Sequence, residues 1–504
     1  MKLLTADVAG LTFKCMAFTK SAADPQPHAS GPSPAGLKKN SLGTRDIVFM
    51  LVSAAAPLTI VVGVSPLALA VGGAGAPVIY IAAALGLSLF AVGFMALTRH
   101  ILSYSGFYGY IAKTLGRVTG LGAGFTAWLS YNGIQIGLYG LLGIQANLAV
   151  QQFTGVDLPW WIYALVSIAA VHYLGWRGID VGAKVVGVLL TLETVIVVIL
   201  AVAVLAHGGA SGISLDSFTP DAIFTPGMAA VLSMGFSAFM GFESGALYRE
   251  EARNPDRTVP RATYISIAFI GAFYAFAVWI LVQAGGFGAI QAFAGQHLDT
   301  GDTAYVLAGT FAGDWLVNLM SVLIVTSIFA SQLAFHNTIN RYTLSLGREG
   351  ILPARMARVS RHLTPGNAGV LQTVLSAVCV IVGAVLALDP FTQFVVWLNS
   401  PGIIGILALQ ALMGVGVVMF FVRNRGLNTR WYVIPSTVLA TAVMAVVIWL
   451  SVTNIQYLTG IPAGDPVNTT LLVIAPVTFV LGLAVAWWLK KNRPEVFGRI
   501  GHSE

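Results

Sequence analysis

Residues 47–73 read IVFMLVSAAAPLTIVVGVSPLALAVGG, an apolar run that is long enough to cross a bilayer but carries two prolines in its interior. A membrane-crossing helix needs about 20 mostly apolar residues. Each proline removes a backbone hydrogen bond and clashes with the preceding turn. In lipid, such a break is stable only where it faces protein or a water-filled cavity. We therefore predict a discontinuous first membrane span, with interruptions at Pro57 and Pro66.

The composition of the whole chain is that of a polytopic membrane protein. Its 504 residues are 57% hydrophobic and only 9% charged, and the mean hydropathy is +0.81. Soluble domains carry roughly a quarter charged residues, so the composition excludes a soluble protein. Twelve apolar stretches have the length of a membrane span, with predicted ranges 46–72, 76–98, 118–148, 159–176, 182–206, 227–249, 262–286, 313–345, 367–388, 391–422, 431–452 and 468–489.

The connections between these stretches separate by charge. One set holds Asp157, Asp216, Asp221, Asp299, Asp302, Asp389 and Asp465, without lysine or arginine. The other set, with the termini, holds Lys38, Lys39, Arg45, Arg99, Lys113, Arg117, Arg177, Lys184, the runs 249–261 and 341–361, Arg423, Arg425, Arg430, Lys490, Lys491 and Arg493. The positive-inside rule places the basic set, and with it both termini, on the cytoplasmic side of the cell membrane. The net charge of +7 is thus a signal of topology, and no nucleic-acid partner is expected.

The two ends of the chain are predicted to be cytoplasmic tails, residues 1–44 and 491–504. The first is predicted to be disordered, because its stretch 21–36 is rich in Pro, Ser, Gly and Ala. A signal peptide needs an unbroken apolar core of about 7–15 residues, and Asp7 and Lys14 interrupt such a core. Cys15 and Cys379 lie too far apart in sequence to indicate a disulfide framework or a metal site.

The sixth apolar stretch contains a second soft point, at Gly235 and Gly241 in SMGFSAFMGFES (233–244). Interruptions in spans one and six are spaced as in two inverted five-helix repeats, each of which opens with a discontinuous helix. Such half-helices direct free backbone groups at a substrate near the membrane midplane. The alternative is that these prolines and glycines merely kink membrane helices.

Three motifs in the chain resemble those of one family. GFESGALYREEARNPDRTVPRA (241–262) is similar to the span-six signature of the amino acid–polyamine–organocation (APC) permeases. RHILSYSGFYGYIAKTLGR (99–117) resembles the family's loop between spans two and three, and NRYTLSLGREGILPARMARV (340–359) the segment that closes span eight. The resemblance implies an all-α polytopic membrane protein of 12 transmembrane helices with the leucine-transporter fold. Its ten-helix core, 45–425, would be a 5+5 inverted repeat with broken helices 1 and 6, followed by two additional helices at 426–490.

The resemblance also implies a substrate site at the two breaks. Counting from the start of span one places the family's first break at about Ala55, Ala56, Pro57, Leu58 and Thr59. In the family, N–H groups of the first break hold the substrate carboxylate, and carbonyls of the sixth hold its amino group. Pro57 departs from this pattern, because it replaces a glycine and cannot donate; amines without a carboxylate, such as polyamines, therefore stay open as substrates. The predicted substrate-binding residues are Ala56, Pro57, Leu58, Thr59, Tyr131, Asn132, Ser237, Phe239, Gly241 and Phe335. Ordinary packing or helix-bridging hydrogen bonds are the alternative roles of the aromatic and polar residues among them.

Two carboxyl groups fall at predicted membrane depth, where a charge costs roughly 2–3 kcal/mol and is functional by default. Glu243 follows the span-six break, where family members often carry a glutamate that is sometimes implicated in proton response. Glu193 falls where several proton-coupled or sodium-independent members carry a lysine whose ammonium replaces a sodium ion. We predict that Glu193, Glu243, Ser327 and Ser331 couple transport to H⁺, with Na⁺ as the alternative. A neutral carboxyl that only ties helices together is the competing interpretation.

The charged run 249–261 has two interpretations. Asn254 and Pro255 predict a turn, and Thr258 with Pro260 predicts the start of span seven. Pairing within the run would contribute only tenths of a kcal/mol per ion pair if exposed. The run either serves loop solubility and orientation or forms an intracellular gate that breaks as the cytoplasmic path opens.

The predicted function is secondary active transport of amino acids or related amines across the cytoplasmic membrane by alternating access, coupled to protons. The alternatives are an amino acid/polyamine exchanger, a Na⁺-coupled organocation importer and, from another class, a channel or membrane sensor. No enzyme is expected, because H-E-x-x-H, G-x-S-x-G and the lysine-containing phosphate loop are missing from suitable contexts. The expected partners are the small-molecule substrate and the lipid bilayer, without a cofactor besides the coupling ion. The sequence indicates no oligomeric state.

Overall fold

The computed structural model describes residues 37–101, 103, 105–298, 300–427 and 430–502, apart from the side chains of residues 179–181. In these ranges the chain is helical, with an isolated β-bridge between Leu42 and Ala252. We number the long helices as spans one to twelve. They are Thr44–Ala54 with 57–72, Pro77–Thr98, Arg117–Thr154, Trp160–Arg177, Ile179–Ala206, Pro226–Ser237 with Phe242–Tyr248, Pro255–Gly285, Asp314–Arg348, Gly366–Val385, Pro390–Arg423, Val433–Thr453 and Pro466–Asn492.

Eleven of the spans in the described ranges are long and apolar enough to cross a membrane. The exception is span four, Trp160–Arg177, whose 18 residues include three tryptophans, two tyrosines and a histidine. Tryptophan and tyrosine favour the membrane–water interface over the hydrocarbon. The predicted all-α polytopic fold is confirmed, whereas the count of twelve membrane crossings and the inverted repeat stay predictions.

Shorter helices occupy the connections. They are Gly106–Leu115, Pro220–Ile223, Ile290–Gln296, Thr303–Ala312, Ile455–Thr459 and Pro494–Arg499. The last of these lies in the predicted C-terminal tail, and Val496 and Ile500 are buried there. The described part of that tail, residues 491–502, is therefore folded against the helical body.

The two interrupted spans lie in the interior of the helical body. In the most apolar part of span six 83% of the residues are buried, and in span one 72%, against 22% in span twelve. The first half of span one packs against spans five, seven and eight, and the first half of span six packs against span two. Backbone that leaves the helix at these points is thus shielded from lipid, as a break at membrane depth requires.

The end of the predicted N-terminal tail forms backbone hydrogen bonds with the segment that follows span six. The carbonyl of Glu251 accepts the N–H groups of Ser41 at 2.9 Å and Leu42 at 3.0 Å, and the carbonyl of Leu42 accepts the N–H of Arg253 at 3.0 Å. Leu37 and Leu42 are buried. We call residues 37–43 the N-terminal strap. Residues 1–36 of the predicted tail lie outside the described residues.

Span seven begins earlier than predicted. The helix starts at Pro255, where a missing N–H costs nothing because first-turn N–H groups have no partner within the helix. The carbonyl of Asn254 accepts the N–H of Arg257 at 3.0 Å and of Thr258 at 2.7 Å. Thr258 and Pro260 therefore lie inside the first two turns and do not start the span, so half of the charged run is helical.

Candidate functional site

The first break lies where the sequence predicts it. The first half of span one ends at Ala54, and Ala56 adopts the left-handed conformation with φ 48° and ψ 68°. This conformation is uncommon for a residue with a side chain and costs roughly 1–2 kcal/mol. The helix resumes at Pro57 and widens to a π-helical turn over Ile60–Val64. Single π-turns within α-helices are frequent at functional sites.

The second break follows Ser237 and centres on Gly241, whose φ is 106°. Beyond it the chain continues as a tight 3₁₀ helix over Phe242–Tyr248. A Cβ atom on Gly241 would lie 2.4 Å from the Cβ of Ala54, which is too close for any real contact. Glycine is therefore needed both for the backbone conformation and because the two breaks touch at this point.

Glu193 lies at the first break. Its Oε2 atom accepts the backbone N–H of Leu58 at 3.3 Å and the hydroxyl of Ser327 at 2.7 Å. The Thr59 hydroxyl donates to the Ser327 hydroxyl at 3.3 Å, and the Ser331 hydroxyl donates to the carbonyl of Ala54 at 2.7 Å. Span five thus binds the backbone after the break, and span eight binds residues on both sides of it. Leu58 thus donates its N–H to Glu193, whereas the family resemblance implies that N–H groups of this break bind the substrate carboxylate.

Glu243 lies at the second break. Its Oε1 atom accepts the hydroxyl of Tyr131 at 2.6 Å, and its Oε2 atom accepts the N–H of Gly241 at 3.1 Å. The carboxyl group is buried, with 3% of the side chain exposed. Glu243 therefore ties the bend of span six to span three. This contact is compatible with either of the roles that the sequence leaves open.

Aromatic side chains surround the meeting point of the breaks. The rings of Tyr131 and Phe335 lie 6.0 Å apart, and those of Phe239 and Tyr274 lie 6.1 Å apart. The Tyr274 hydroxyl donates to the carbonyl of Ala55 at 2.9 Å, so this tyrosine of span seven holds the first break. Sequence reasoning missed Tyr274, although a tyrosine in an otherwise apolar span needs a partner for its hydroxyl.

Two predicted substrate residues have mostly local contacts. The Ser237 hydroxyl donates to the carbonyl of Met234 in the preceding turn at 2.9 Å. The side-chain amide of Asn132 donates to the carbonyl of Trp128 at 2.7 Å, while its Oδ1 atom is buried and has no hydrogen-bond partner among the described residues. Among the predicted residues, the breaks bring together Ala56, Pro57, Leu58, Thr59, Phe239, Gly241, Glu193, Glu243, Ser327, Ser331, Tyr131 and Phe335.

Long-range ion pairs close the end of the molecule that carries the basic loops, which we call the basic end. Arg341 of span eight donates from Nε and Nη2 to the two carboxylate oxygens of Glu251, at 2.7 and 2.9 Å. Both side chains are buried, with 3% and 1% exposed, and the guanidinium lies 4.8 Å from the centre of the Tyr248 ring. This fork geometry is the strongest form of a charged hydrogen bond.

Of the neighbouring charges, Glu250 also pairs over a long distance in sequence, whereas Arg249 pairs with Asp256 within the charged run. Glu250 binds Arg348 at 2.9 Å and accepts the N–H of Leu37 at 3.0 Å. Burial alone would raise the pKa of the Glu250 carboxyl, but the hydrogen bond and charge of Arg348 outweigh it and hold this pKa below its usual value. Arg249 binds Asp256 at 2.6 Å. The charged run therefore joins span six to span eight and to the N-terminal strap.

Fold and site together define a class, the polytopic membrane proteins in which two discontinuous helices meet in the interior and bind buried carboxyl groups. Residues 42–481 match the model of the amino acid permease family. The chain belongs to that family, which confirms the resemblance to the APC permeases.

Three similar proteins have names that state which amino acids they carry. The chain is 31% identical over 191 residues to the L-methionine/branched-chain amino acid exporter YjeH of Escherichia coli K12, covering 36% of this chain and 42% of that one. It is 25% identical over 333 residues to the L-asparagine permease of Salmonella typhimurium LT2, 63% of each chain. It is 22% identical over 289 residues to the aromatic amino acid transport protein AroP of E. coli K12, 55% of this chain and 60% of that one. The chain thus spans less than two thirds of the length of each relative.

Proposed function

We propose that this protein is a proton-coupled secondary transporter that moves an amino acid across the cytoplasmic membrane by alternating access. The observation that carries the proposal is the contact between the two breaks, with a carboxyl group hydrogen-bonded to the backbone of each. Helix breaks in the membrane interior expose backbone donors and acceptors to a substrate. The names of the three relatives, which describe carriers of methionine, branched-chain and aromatic amino acids and asparagine, support this substrate class.

The lining of the site favours a substrate with an apolar side chain. Phe239, Phe335 and Tyr131 are buried beside the breaks. Aromatic rings bury large apolar area and are suited to methionine-, branched-chain- or aromatic-type side chains. The charged end of the substrate would contact the backbone at the breaks.

Coupling is proposed to operate through the N–H of Leu58. When Glu193 is ionised, its carboxylate is the stronger acceptor and holds this N–H. Protonation of Glu193 weakens the acceptor, since hydrogen bonds to ionised groups are roughly twice as strong as neutral ones. The N–H of Leu58 is then free for the substrate carboxylate. Proton binding and substrate binding would thus favour each other, as linkage requires.

The same oxygen atoms support a second candidate for the coupling ion. Glu193, Thr59, Ser327 and the carbonyl of Ala54 supply only oxygen ligands within one cluster. Hard cations such as Na⁺ prefer oxygen ligands, as Ca²⁺ and Mg²⁺ do. Transport of amines without a carboxylate is a further outcome, which the uptake of putrescine tests. Exchange between substrates is tested by uptake into vesicles preloaded with unlabelled substrate.

The test is uptake of radiolabelled substrates into proteoliposomes that contain the full chain. Methionine, leucine, phenylalanine, asparagine and putrescine are offered under a pH gradient, a sodium gradient or neither. We expect saturable accumulation of the apolar amino acids under the pH gradient alone. Accumulation under the sodium gradient alone would assign Na⁺. Flux that does not saturate would contradict a transporter and indicate a channel.

Substitution of Phe335 by leucine is expected to weaken the binding of aromatic and branched-chain substrates by about tenfold. Leucine keeps the site apolar and leaves a smaller cavity than alanine would, so it costs less stability, whereas the ring contact with Tyr131 is lost. Phe394→Leu is the matched control, because Phe394 is buried against Trp160 and shares no contact with the breaks. Competition for uptake gives the affinities. Equal affinities in wild type and Phe335→Leu would place the substrate elsewhere.

Cysteines at positions 297 and 465 are expected to react with a membrane-impermeant maleimide added outside intact cells, whereas a cysteine at exposed position 257 is not. The acidic connections carry the first two positions and the basic end carries the third, and basic loops stay in the cytoplasm. The background chain has Cys15 and Cys379 replaced by serine. Labelling of position 257 from outside would reverse the proposed orientation.

A further inference from the structure

A cavity that shares no residue with the two breaks opens between spans two, seven and eleven at the basic end. Its volume is about 440 Å³, which is within the range of small-molecule sites. We call it the side cavity. Its lining residues are Val92, Met95, Ala96, Arg99, His100, Tyr264, Arg430, Tyr432 and Val433.

The polar part of the side cavity is cationic. Two guanidinium groups, an imidazole and two phenol hydroxyls line it, and no carboxyl group does so among the described residues. Arg430 donates to the hydroxyl of Tyr432 at 2.7 Å, which holds the guanidinium beside the cavity. Arg99 forms no ion pair with any residue that the structure describes. The planar fork of arginine matches a phosphate group and binds it by two parallel hydrogen bonds.

The helix ends at the side cavity add to this positive potential. Span eleven begins at Val433 without a side-chain cap, so its first N–H groups contribute a partial positive charge. Span two ends at Thr98, immediately before Arg99 and His100. The full positive charge of the Arg99 guanidinium exceeds the opposing partial charge of that helix end, which is about half an elementary charge.

The other part of the side cavity is apolar and continues towards lipid. Val92, Met95, Ala96 and Val433 line it. On the neighbouring turns, side chains that would face hydrocarbon are exposed, with exposed fractions of 49% for Ile265, 50% for Val438, 54% for Leu439 and 63% for Leu85. Trp431, 85% exposed, stands between the two cavity residues Arg430 and Tyr432. Tryptophan at such a position is typical of the membrane interface.

We infer that the side cavity binds the phosphate-ester headgroup of an anionic phospholipid, with the acyl chains along the apolar surface of spans two and eleven. A free phosphate offers the same anion but has nothing to bury against the apolar half of the cavity. Basic pockets between membrane helices at the cytoplasmic side are suited to anionic headgroups. The lipid would join span eleven to spans two and seven. Those two spans bind span one through the Ser65–Tyr80 and Tyr274–Ala55 hydrogen bonds, both 2.9 Å, and the second of these lies at the first break.

The experiment is native mass spectrometry of the full chain, released from micelles that contain equal amounts of phosphatidylglycerol and phosphatidylcholine. We expect the wild type to retain phosphatidylglycerol preferentially. The variant Arg99→Gln/Arg430→Gln is expected to bind it about tenfold more weakly, with phosphatidylcholine binding unchanged. The control Arg425→Gln/Arg493→Gln removes the same charge from the same end outside the cavity and should bind as the wild type does. Tyr264→Phe, which deletes one hydroxyl, should weaken binding by a smaller factor.

Inorganic phosphate and glycerol phosphate, each added at millimolar concentration, distinguish the lipid from a free anion. We expect neither to displace phosphatidylglycerol. Displacement by inorganic phosphate would overturn the lipid assignment and indicate a site for free anions. Equal retention of phosphatidylglycerol by the wild type and the Arg99→Gln/Arg430→Gln variant, or an equal loss in the control pair, would overturn the site itself. Melting temperatures of all variants in the same detergent show that each is folded.

Discussion

Replacement of Glu193 by glutamine is expected to abolish accumulation driven by a pH gradient while exchange of substrate across the membrane continues. Glutamine resembles the protonated carboxyl in shape and charge but cannot release a proton. At one proton per substrate, a gradient of about one pH unit supports about tenfold accumulation, since a factor of ten corresponds to about 1.4 kcal/mol. In the variant, the substrate concentration inside the vesicles should not rise above the concentration outside. Uptake and counterflow in proteoliposomes measure the two activities separately.

Two further variants make the Glu193 experiment specific. Glu243→Gln changes the carboxyl group at the second break, whose partners are Tyr131 and Gly241. Thr194→Val is the neighbouring control, because its hydroxyl binds only the carbonyl of Leu190 in its own helix. If Glu193→Gln still accumulates substrate and Glu243→Gln does not, the coupling role belongs to Glu243. Retained accumulation in both variants would remove the two carboxyl groups from the coupling mechanism.

Glu251→Gln is expected to open the basic end and to lower the melting temperature by several degrees. Removing one partner of a buried ion pair leaves the other charge uncompensated and costs about 3–5 kcal/mol. The double variant Glu251→Gln/Arg341→Gln should be less damaged than the sum of the single variants, because no charge is then left unpaired. A cysteine at position 345, which is buried in this end, should react faster with a soluble maleimide in the single variant. Labelling rates and thermal melting in detergent check both effects.

Glu250→Gln is the matched control for the buried pair. Its partner Arg348 is 24% exposed and Glu250 itself 10%, so water reaches this pair more than the Glu251–Arg341 pair and compensates part of the lost contact. Its effect on melting should accordingly be small. A lower melting temperature in Glu251→Gln without faster labelling of position 345 would show a structural pair and not a gate.

The two breaks could be predicted because local residue chemistry determines them. Proline cannot continue a helix hydrogen-bond pattern, and Gly241 adopts a φ that side chains disfavour. The coupling role of Glu193 is a prediction that depends on the family resemblance alone. Hydropathy located the spans, because the bilayer imposes one length and one polarity on each of them.

Contacts between distant segments could not be predicted in the same way. The sequence suggested that Glu250 and Glu251 pair with arginines in their own loop, whereas their partners lie about 90 residues further on in span eight. Local spacing carries no information about such partners. The N-terminal strap was overlooked for a related reason, since two leucines next to a low-complexity tail show no periodicity. The hydrogen bond from the Leu58 N–H to Glu193 likewise depends on the packing of span one against span five, which local sequence does not show.

The pairing of the strap with the segment after span six has a consequence for biogenesis. Leu42 bridges to Ala252, which is 210 residues later in the chain. At a synthesis rate of roughly 5–20 residues per second, this partner leaves the ribosome about 10–40 s after the strap. During that interval the strap has no native partner, and Leu37 and Leu42 are accessible to chaperones and proteases at the membrane surface. Arg341, the partner of Glu251, is synthesised later still, so the basic end is completed only after span eight is inserted.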